Sequence, residues 1–293
     1  MMNTRQQSIA ITGANGFLGS ALVEYFAKKG WKVIALARKP PAGKPVHKNI
    51  SYLSYDLSVP INVEAMNKVD YLIHTAYVKH DRKHPESYEV NINAAEDIMS
   101  YVRKNNIKKI IFISSMSAHK QAKSSYGQQK LAIEKIFKGP KFINIRSGLI
   151  IGNGGIVMEM IGFMRSKHLV PLVDGGKQPL QIISVDDLVV SIDNLLASEL
   201  YGTYTLANPE IYSYKQLYFT ISKILSIKVI LVPMPYVMLI NLIRLADLLP
   251  ISIAISPDNI MGLRYLKAVN TTEDIKKIGV KLKNLDEALG GIK

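Results

Sequence analysis

Short apolar runs alternate with amphipathic stretches from the N-terminus to about Gly152. Ser8 to Thr12 is an apolar run that stops at a glycine, the pattern of a strand buried on both faces. Phe17 to Lys29 then sets Leu18, Leu22, Val23 and Phe26 at helical spacing and ends at Gly30. Trp31 to Ala37 predicts a second strand, so the chain opens with a strand–turn–helix–strand unit. Further strands are predicted at Ile50–Leu53, Tyr71–Thr75, Lys109–Ser114 and Phe142–Arg146, with helices at Tyr88–Asn105 and Tyr126–Phe137. This alternation predicts an α/β fold, a Rossmann-like doubly wound parallel sheet.

After Gly152 the rhythm loosens. Helices are predicted at Val157–Arg165, Val185–Ala197 and Ser213–Ser226, and strands at Thr203–Ala207 and Val229–Val232. The expected organisation is a main domain over residues 1–152, to which later segments can return, and a smaller C-terminal α/β lobe over 153–293. The stretch Met234 to Ile255 is strongly apolar but is broken by Pro235, Asn241, Arg244, Asp247 and Pro250. It lacks the run of about twenty apolar residues that a transmembrane helix needs. Two readings stay open for it: a helical pair that packs the small lobe, or an element lying in a membrane interface.

Composition narrows the chemistry. With 48% hydrophobic and 20% charged residues, the 293-residue chain has a globular balance. The absence of cysteine excludes disulfides, thiolate metal sites and cysteine nucleophiles, and fits a reducing compartment. No secretory signal precedes the first strand, so a cytoplasmic location is expected. The net charge of +14 suits a phosphate-bearing small molecule, a nucleic acid or an anionic membrane surface. The lysines are dispersed, with only short clusters such as Lys108-Lys109, so nucleic acid is not the expected partner. His80 and His84 share an i, i+4 spacing beside Pro85 but lack a third ligand, and no metal site is expected.

Gly13-Ala-Asn15-Gly16-Phe17-Leu18-Gly19 lies between the first strand and the first helix. A dinucleotide fold needs a tight turn at the first glycine, close approach to a pyrophosphate at the second and close helix packing at the third. The helix N-terminus adds N–H groups and a partial positive charge. Gly13, Asn15, Gly16, Phe17, Leu18 and Gly19 are therefore candidate cofactor contacts. At the end of the second strand an acidic residue would favour NAD, but this chain has Ala37-Arg38-Lys39. A guanidinium can pair with a 2′-phosphate, so NADP(H) is the expected cofactor, with NAD as the alternative.

Tyr126-Gly-Gln-Gln-Lys130 places a phenol and an ammonium on one helical face. The ammonium is expected to lower the tyrosine pKa and fit the phenol for acid–base work as a hydride moves. The preceding strand ends in Ser114-Ser115, where ligands gather in an open α/β sheet.

The GxxGxxG turn, the strand ending in serines and the Tyr-x-x-x-Lys together resemble the extended short-chain dehydrogenase/reductase family of nucleotide-sugar epimerases, dehydratases and reductases. The resemblance implies Tyr126 as acid/base, Lys130 as its tuner and a contact to the nicotinamide ribose, and Ser115 as orienter of the substrate oxygen. It further implies cofactor contacts from Asp56 and Leu57 at adenine, from Thr75 and Ala76 at the strand end, from Asn91 on a helix, and from Ser114. A homodimer is also consistent with it. The chain departs from the family in several places, one being Ala118-His119-Lys120 where Val-Tyr-Gly is usual. Ser147 replaces a usual proline. Leu180 stands near the position of an arginine for the nucleotide diphosphate. Met116 and Ser117 fill the places of a dehydratase Asp-Glu pair. The expected function is an NADP(H)-dependent reductase or epimerase acting on a nucleotide-linked keto-sugar. The alternatives are reduction of a non-sugar carbonyl, or a non-catalytic NADPH-binding protein that docks on a membrane or complex.

Overall fold

The computed structural model describes residues 6–41, 43, 47–62, 66, 69–79, 84–247 and 257–292. His80 and residues 248–255 of the apolar stretch lie outside these. The strands are β1 (Ser8–Thr12), β2 (Lys32–Ala37), β3 (Ile50–Ser54), β4 (Tyr71–His74), β5 (Lys109–Ser115), β6 (Phe142–Ser147), β7 (Leu149–Ile151), β8 (Leu169–Val173), β9 (Pro179–Leu180), β10 (Ile182–Ser184), β11 (Gly202–Leu206), β12 (Tyr212–Ser213) and β13 (Ile230–Met234). The helices are α1 (Phe17–Lys28), α2 (Ser87–Lys104), α3 (Ser125–Ile136), α4 (Gly155–Lys167), α5 (Val185–Ala197), α6 (Tyr214–Ile224), α7 (Tyr236–Asp247), α8 (Pro257–Arg264), α9 (Thr272–Ile278) and α10 (Leu285–Gly290).

The chain divides into two units, neither continuous in sequence. The first comprises Met1–Ser114, Leu131–Arg146 and Leu188–Tyr204; the second comprises Ser115–Lys130, Ser147–Asp187 and Thr205–Lys293.

A seven-stranded sheet of order β11-β6-β5-β4-β1-β2-β3 organises the first unit. Strands β3, β2, β1, β4 and β5 pair in parallel, with Ile9 opposite both Val33 and Tyr71. All five residues of β1 are buried, which explains why its sequence is an apolar run without alternation. Strand order reverses beside β1, between β2 on one side and β4 on the other, and ligands of open α/β sheets gather at the strand C-termini there. Helix α1 buries Leu18, Leu22, Val23 and Phe26, the stripe its spacing predicts. On α2, Ala94, Ala95, Ile98 and Tyr101 join a core that includes Ala10, Leu72, Ile110 and Phe112.

The second unit is built from two-stranded ladders. β7 pairs with β10 and β8 with β13 in parallel, and β9 pairs with β12 antiparallel. Several of these strands are two or three residues long, too short to show a period of two in the sequence. Their core joins Val157, Ile161 and Met164 of α4 to Leu217 and Ile221 of α6 and Leu285 and Leu289 of α10. α6 and α10 open with capping boxes, Ser213 with Gln216 and Asn284 with Glu287. A separate cluster packs Leu239, Ile240 and Ile243 of α7 against Val173 and Ile260. The described part of the apolar stretch thus packs one face inward, while Val237, Met238 and Leu242 stay exposed.

Candidate active site

In the first unit, the glycine-rich turn has the geometry that a pyrophosphate needs. Gly13 has φ +70°, and a Cβ there would lie 2.7 Å from Thr75 Oγ1 and 2.8 Å from the Ala76 nitrogen. A Cβ on Gly19 would lie 2.1 Å from the Gly13 carbonyl oxygen, so the helix can pack this close only without a side chain. Gly16 caps α1 with extended backbone and no side-chain bond, and the first turn carries no acidic residue. An anion at this helix start meets backbone N–H groups and no competing carboxylate. These residues fit a dinucleotide.

Side chains around the turn hold its neighbours in place. Thr75 Oγ1 donates to the Thr12 carbonyl at 2.6 Å, and the Ala76 N–H donates to Thr12 Oγ1 at 3.2 Å. Asn91, 2% exposed, uses its amide on the backbone of Val78, accepting from the N–H and donating to the carbonyl, each at 2.9 Å. These two bonds fix the chain leaving β4. Asn15 donates to the Lys39 carbonyl at 2.6 Å, which ties the turn to the end of β2. There Arg38 is exposed. The Asp56 carboxyl is held below its ordinary range, first by the Ser58 N–H and hydroxyl, against some burial, with Arg38 adding a further pull. The side chains of Leu18 and Leu57 are buried.

In the second unit, Ser115, Tyr126 and Lys130 come together. Ser115 ends β5, and its hydroxyl is hydrogen-bonded to the Tyr126 phenol. The Lys130 ammonium sits 5.8 Å from the centre of the Tyr126 ring. Tyr126 is half-buried and Lys130 buried. Burial raises the phenol pKa from its ordinary 10.0, and the hydrogen bond from the Ser115 hydroxyl lowers it. Gly127 explains how the strand end and the helix start approach: a Cβ there would lie 2.4 Å from the Ser117 carbonyl.

The helix carrying Tyr126 is capped twice. Ser124 Oγ accepts from the Gly127 N–H at 3.2 Å. The carboxylate of Asp258, far along the chain on α8, accepts from the Ser125 N–H at 2.6 Å and the Tyr126 N–H at 3.3 Å. Sequence reasoning missed Asp258 because nothing near it in the chain marks it as a cap for a helix that starts 133 residues earlier.

It also missed Glu134, in the first unit. The Ser114 hydroxyl donates to Glu134 Oε1 at 2.5 Å, and Arg146 forks onto the same carboxylate, with Nη2 2.6 Å from Oε2. Ser114 is 2% exposed, so its hydroxyl serves this buried network. Leu180, 4% exposed, is part of the second unit's core. Arg264 lies with its guanidinium 4.3 Å from the ring centre of Tyr236. Among the described residues no group of three or more His, Asp or Glu could hold a metal ion.

Comparison with known proteins gives the family and the fold. The family model described as "NAD dependent epimerase/dehydratase family" matches residues 9–207. Ceramide reductase of Caulobacter vibrioides is 26% identical over 207 residues, which are 68% of this chain and 64% of that protein. The chain therefore spans less than two thirds of that relative's length. Among solved structures, the NAD-dependent NDP-hexosamine 5,6-dehydratase TunA shares the fold at a TM-score of 0.75 and 16% identity, covering 98% of this chain and 96% of its own. MoeE5, solved with UDP-glucose and NAD, gives 0.73 at 17% identity, covering 97% and 96%. The sheet order, the glycine turn and the match over residues 9–207 place this chain in the NAD-dependent epimerase/dehydratase family.

Proposed function

We propose that the chain is an NADP(H)-using oxidoreductase or epimerase that moves a hydride at a carbon of a nucleotide-linked sugar, with Tyr126 as acid/base. The observation that carries this reading is the hydrogen bond between Ser115 and Tyr126 beside the Lys130 ammonium. A dinucleotide held at the Gly13–Gly19 turn would supply or accept the hydride. Tyr126 Oη gives its proton to the carbonyl oxygen as the carbon is reduced, or takes one from the alcohol in the reverse sense. Ser115 holds that oxygen, and Lys130 stabilises the phenolate left behind. The nucleotide sugar is supported by the solved relative that holds UDP-glucose. The exposed Arg38 at the end of β2 supports NADP(H) over NAD.

A second reading, reduction of a non-sugar carbonyl, is favoured by Leu180. A buried core leucine stands near where a diphosphate-binding arginine is expected, and the matched relative in Caulobacter vibrioides is a ceramide reductase.

Titrating the protein with NADPH and NADH, followed by nicotinamide fluorescence, tests the cofactor. Tighter NADPH binding that Arg38→Glu reverses supports the reading; preference for NADH overturns the Arg38 argument. Absence of binding by either overturns the dinucleotide reading. Turnover of UDP-glucose or its 4-keto derivative, lost in Tyr126→Phe, supports the sugar reading. Stoichiometric cofactor consumption marks a reductase, and product formed without net consumption marks an epimerase.

A further inference from the structure

One surface of the second unit has a composition that the proposed chemistry does not use. On α6, Lys215, Phe219 and Lys223 are exposed at i, i+4 and i+8, so they form one ridge. Phe219 is 64% exposed. A groove lined by His168, Ser222, Ser226, Lys228 and Ile230 joins the end of this helix to the start of the β8–β13 ladder. There Ile230 and Leu169 are register partners, 67% and 45% exposed. Exposed Lys167 and Lys228 flank them. From Ile211 to Ala246 the sequence holds Lys215, Lys223, Lys228 and Arg244 and no Asp or Glu. β13 runs through Pro235 into α7, which exposes Val237, Met238 and Leu242.

Exposed large apolar side chains that cluster on one surface mark an interaction site. We propose that this face docks on an anionic lipid bilayer. Phe219, Ile230 and Leu169 enter the boundary between headgroups and acyl chains, while the lysines pair with lipid phosphates. Charge complementarity selects an anionic partner. The aliphatic members select lipid over nucleic acid, because Ile230 and Leu169 offer no ring on which a base can stack. The surface lies apart in sequence from Ser115, Tyr126 and Lys130, so this inference stands or falls independently of the catalytic reading.

The test is co-sedimentation of the full chain with vesicles of phosphatidylcholine alone and of phosphatidylcholine mixed with phosphatidylglycerol. Binding to the mixed vesicles is expected, weakened by salt and absent with the neutral ones. Phe219→Ser should weaken partitioning roughly tenfold by removing a buried ring. The Lys223→Glu, Lys228→Glu double variant should lose it, with the melting temperature of both variants unchanged. Equal binding to neutral vesicles, or binding to neither, overturns the proposal. A concentration-dependent dimer that Phe219→Ser dissolves, or capture of a labelled oligonucleotide without vesicle binding, overturns it too.

Discussion

Asp258 accepts hydrogen bonds from the backbone N–H groups of both Ser125 and Tyr126, so a carboxylate on α8 caps the helix that presents the candidate acid/base. The first N–H groups of a helix have no partner within it, and a negative charge at that end is favourable. Asp258→Ala should lower stability by about 1 kcal/mol, the ordinary cost of a lost cap. It should lower kcat more than KM, because it loosens the helix start that holds Tyr126. Asp258→Asn, which keeps an acceptor, should recover most of the turnover. Thermal melts beside steady-state kinetics on the three proteins check this; loss of stability with kcat unchanged would make the contact purely structural.

The position of the phenol pKa fixes the pH dependence. Burial raises it above the ordinary 10.0, and the Ser115 hydrogen bond, by favouring the charged form, lowers it. In the reductive direction Tyr126 must be protonated, so kcat/KM should stay level through neutral pH and fall only on the alkaline side. In the oxidative direction the phenolate is required, and the rate should climb with pH over the same range. Ser115→Ala removes the lowering contact, so both limbs should move to higher pH. Tyr126→Phe should cost on the order of 10²–10⁴ in turnover in either direction. A limb that moves to lower pH in Ser115→Ala would contradict this assignment.

The glycines of the turn make a prediction that separates binding from folding. Gly19→Ala would set a methyl group 2.1 Å from the Gly13 carbonyl oxygen, and Gly13→Ala would add a φ of +70° to a clash with Thr75 and Ala76. Each should weaken dinucleotide binding by more than about tenfold, since the helix start is pushed off the strand end. Gly30→Ala, where φ is +85° but a Cβ meets nothing within 4 Å, should leave cofactor affinity intact and reduce stability alone. Nicotinamide fluorescence titrations with melting curves distinguish the two classes.

Glu134 is a stability determinant. It is 6% exposed and binds both Ser114 and the Arg146 guanidinium. Glu134→Ala would leave that guanidinium partly buried without its carboxylate and should cost about 3 kcal/mol. Glu134→Gln, which keeps an acceptor but no charge, should cost less. Urea denaturation of the two variants measures the difference.

Much of the first unit was legible because its elements are long enough to show a period. The twelve-residue α1 buries the stripe that its apolar spacing marks, and the six-residue β2 is an apolar run buried at five consecutive positions. Ser115, Tyr126 and Lys130 were legible as a group because strand end and helix start follow each other closely in the chain. The short ladders of the second unit were not. Pro179–Leu180 and Tyr212–Ser213 are strands only because they pair with each other. The return of β11 to the edge of the main sheet has no local sign either.

The sequence alone therefore determined the alternating architecture, the glycine-rich turn and the pairing of Tyr126 with Lys130 on one helix, because those depend on periodicity, glycine and near neighbours. Tertiary structure alone decided what surrounds them. It set the phenol's pKa through burial and Ser115, since desolvation depends on which segments pack around a group. It turned Asn91 and Ser114 toward holding backbone and carboxylate, and it brought Asp258 to a helix start 133 residues away. Such contacts depend on distance in space, and no spacing along the chain encodes them.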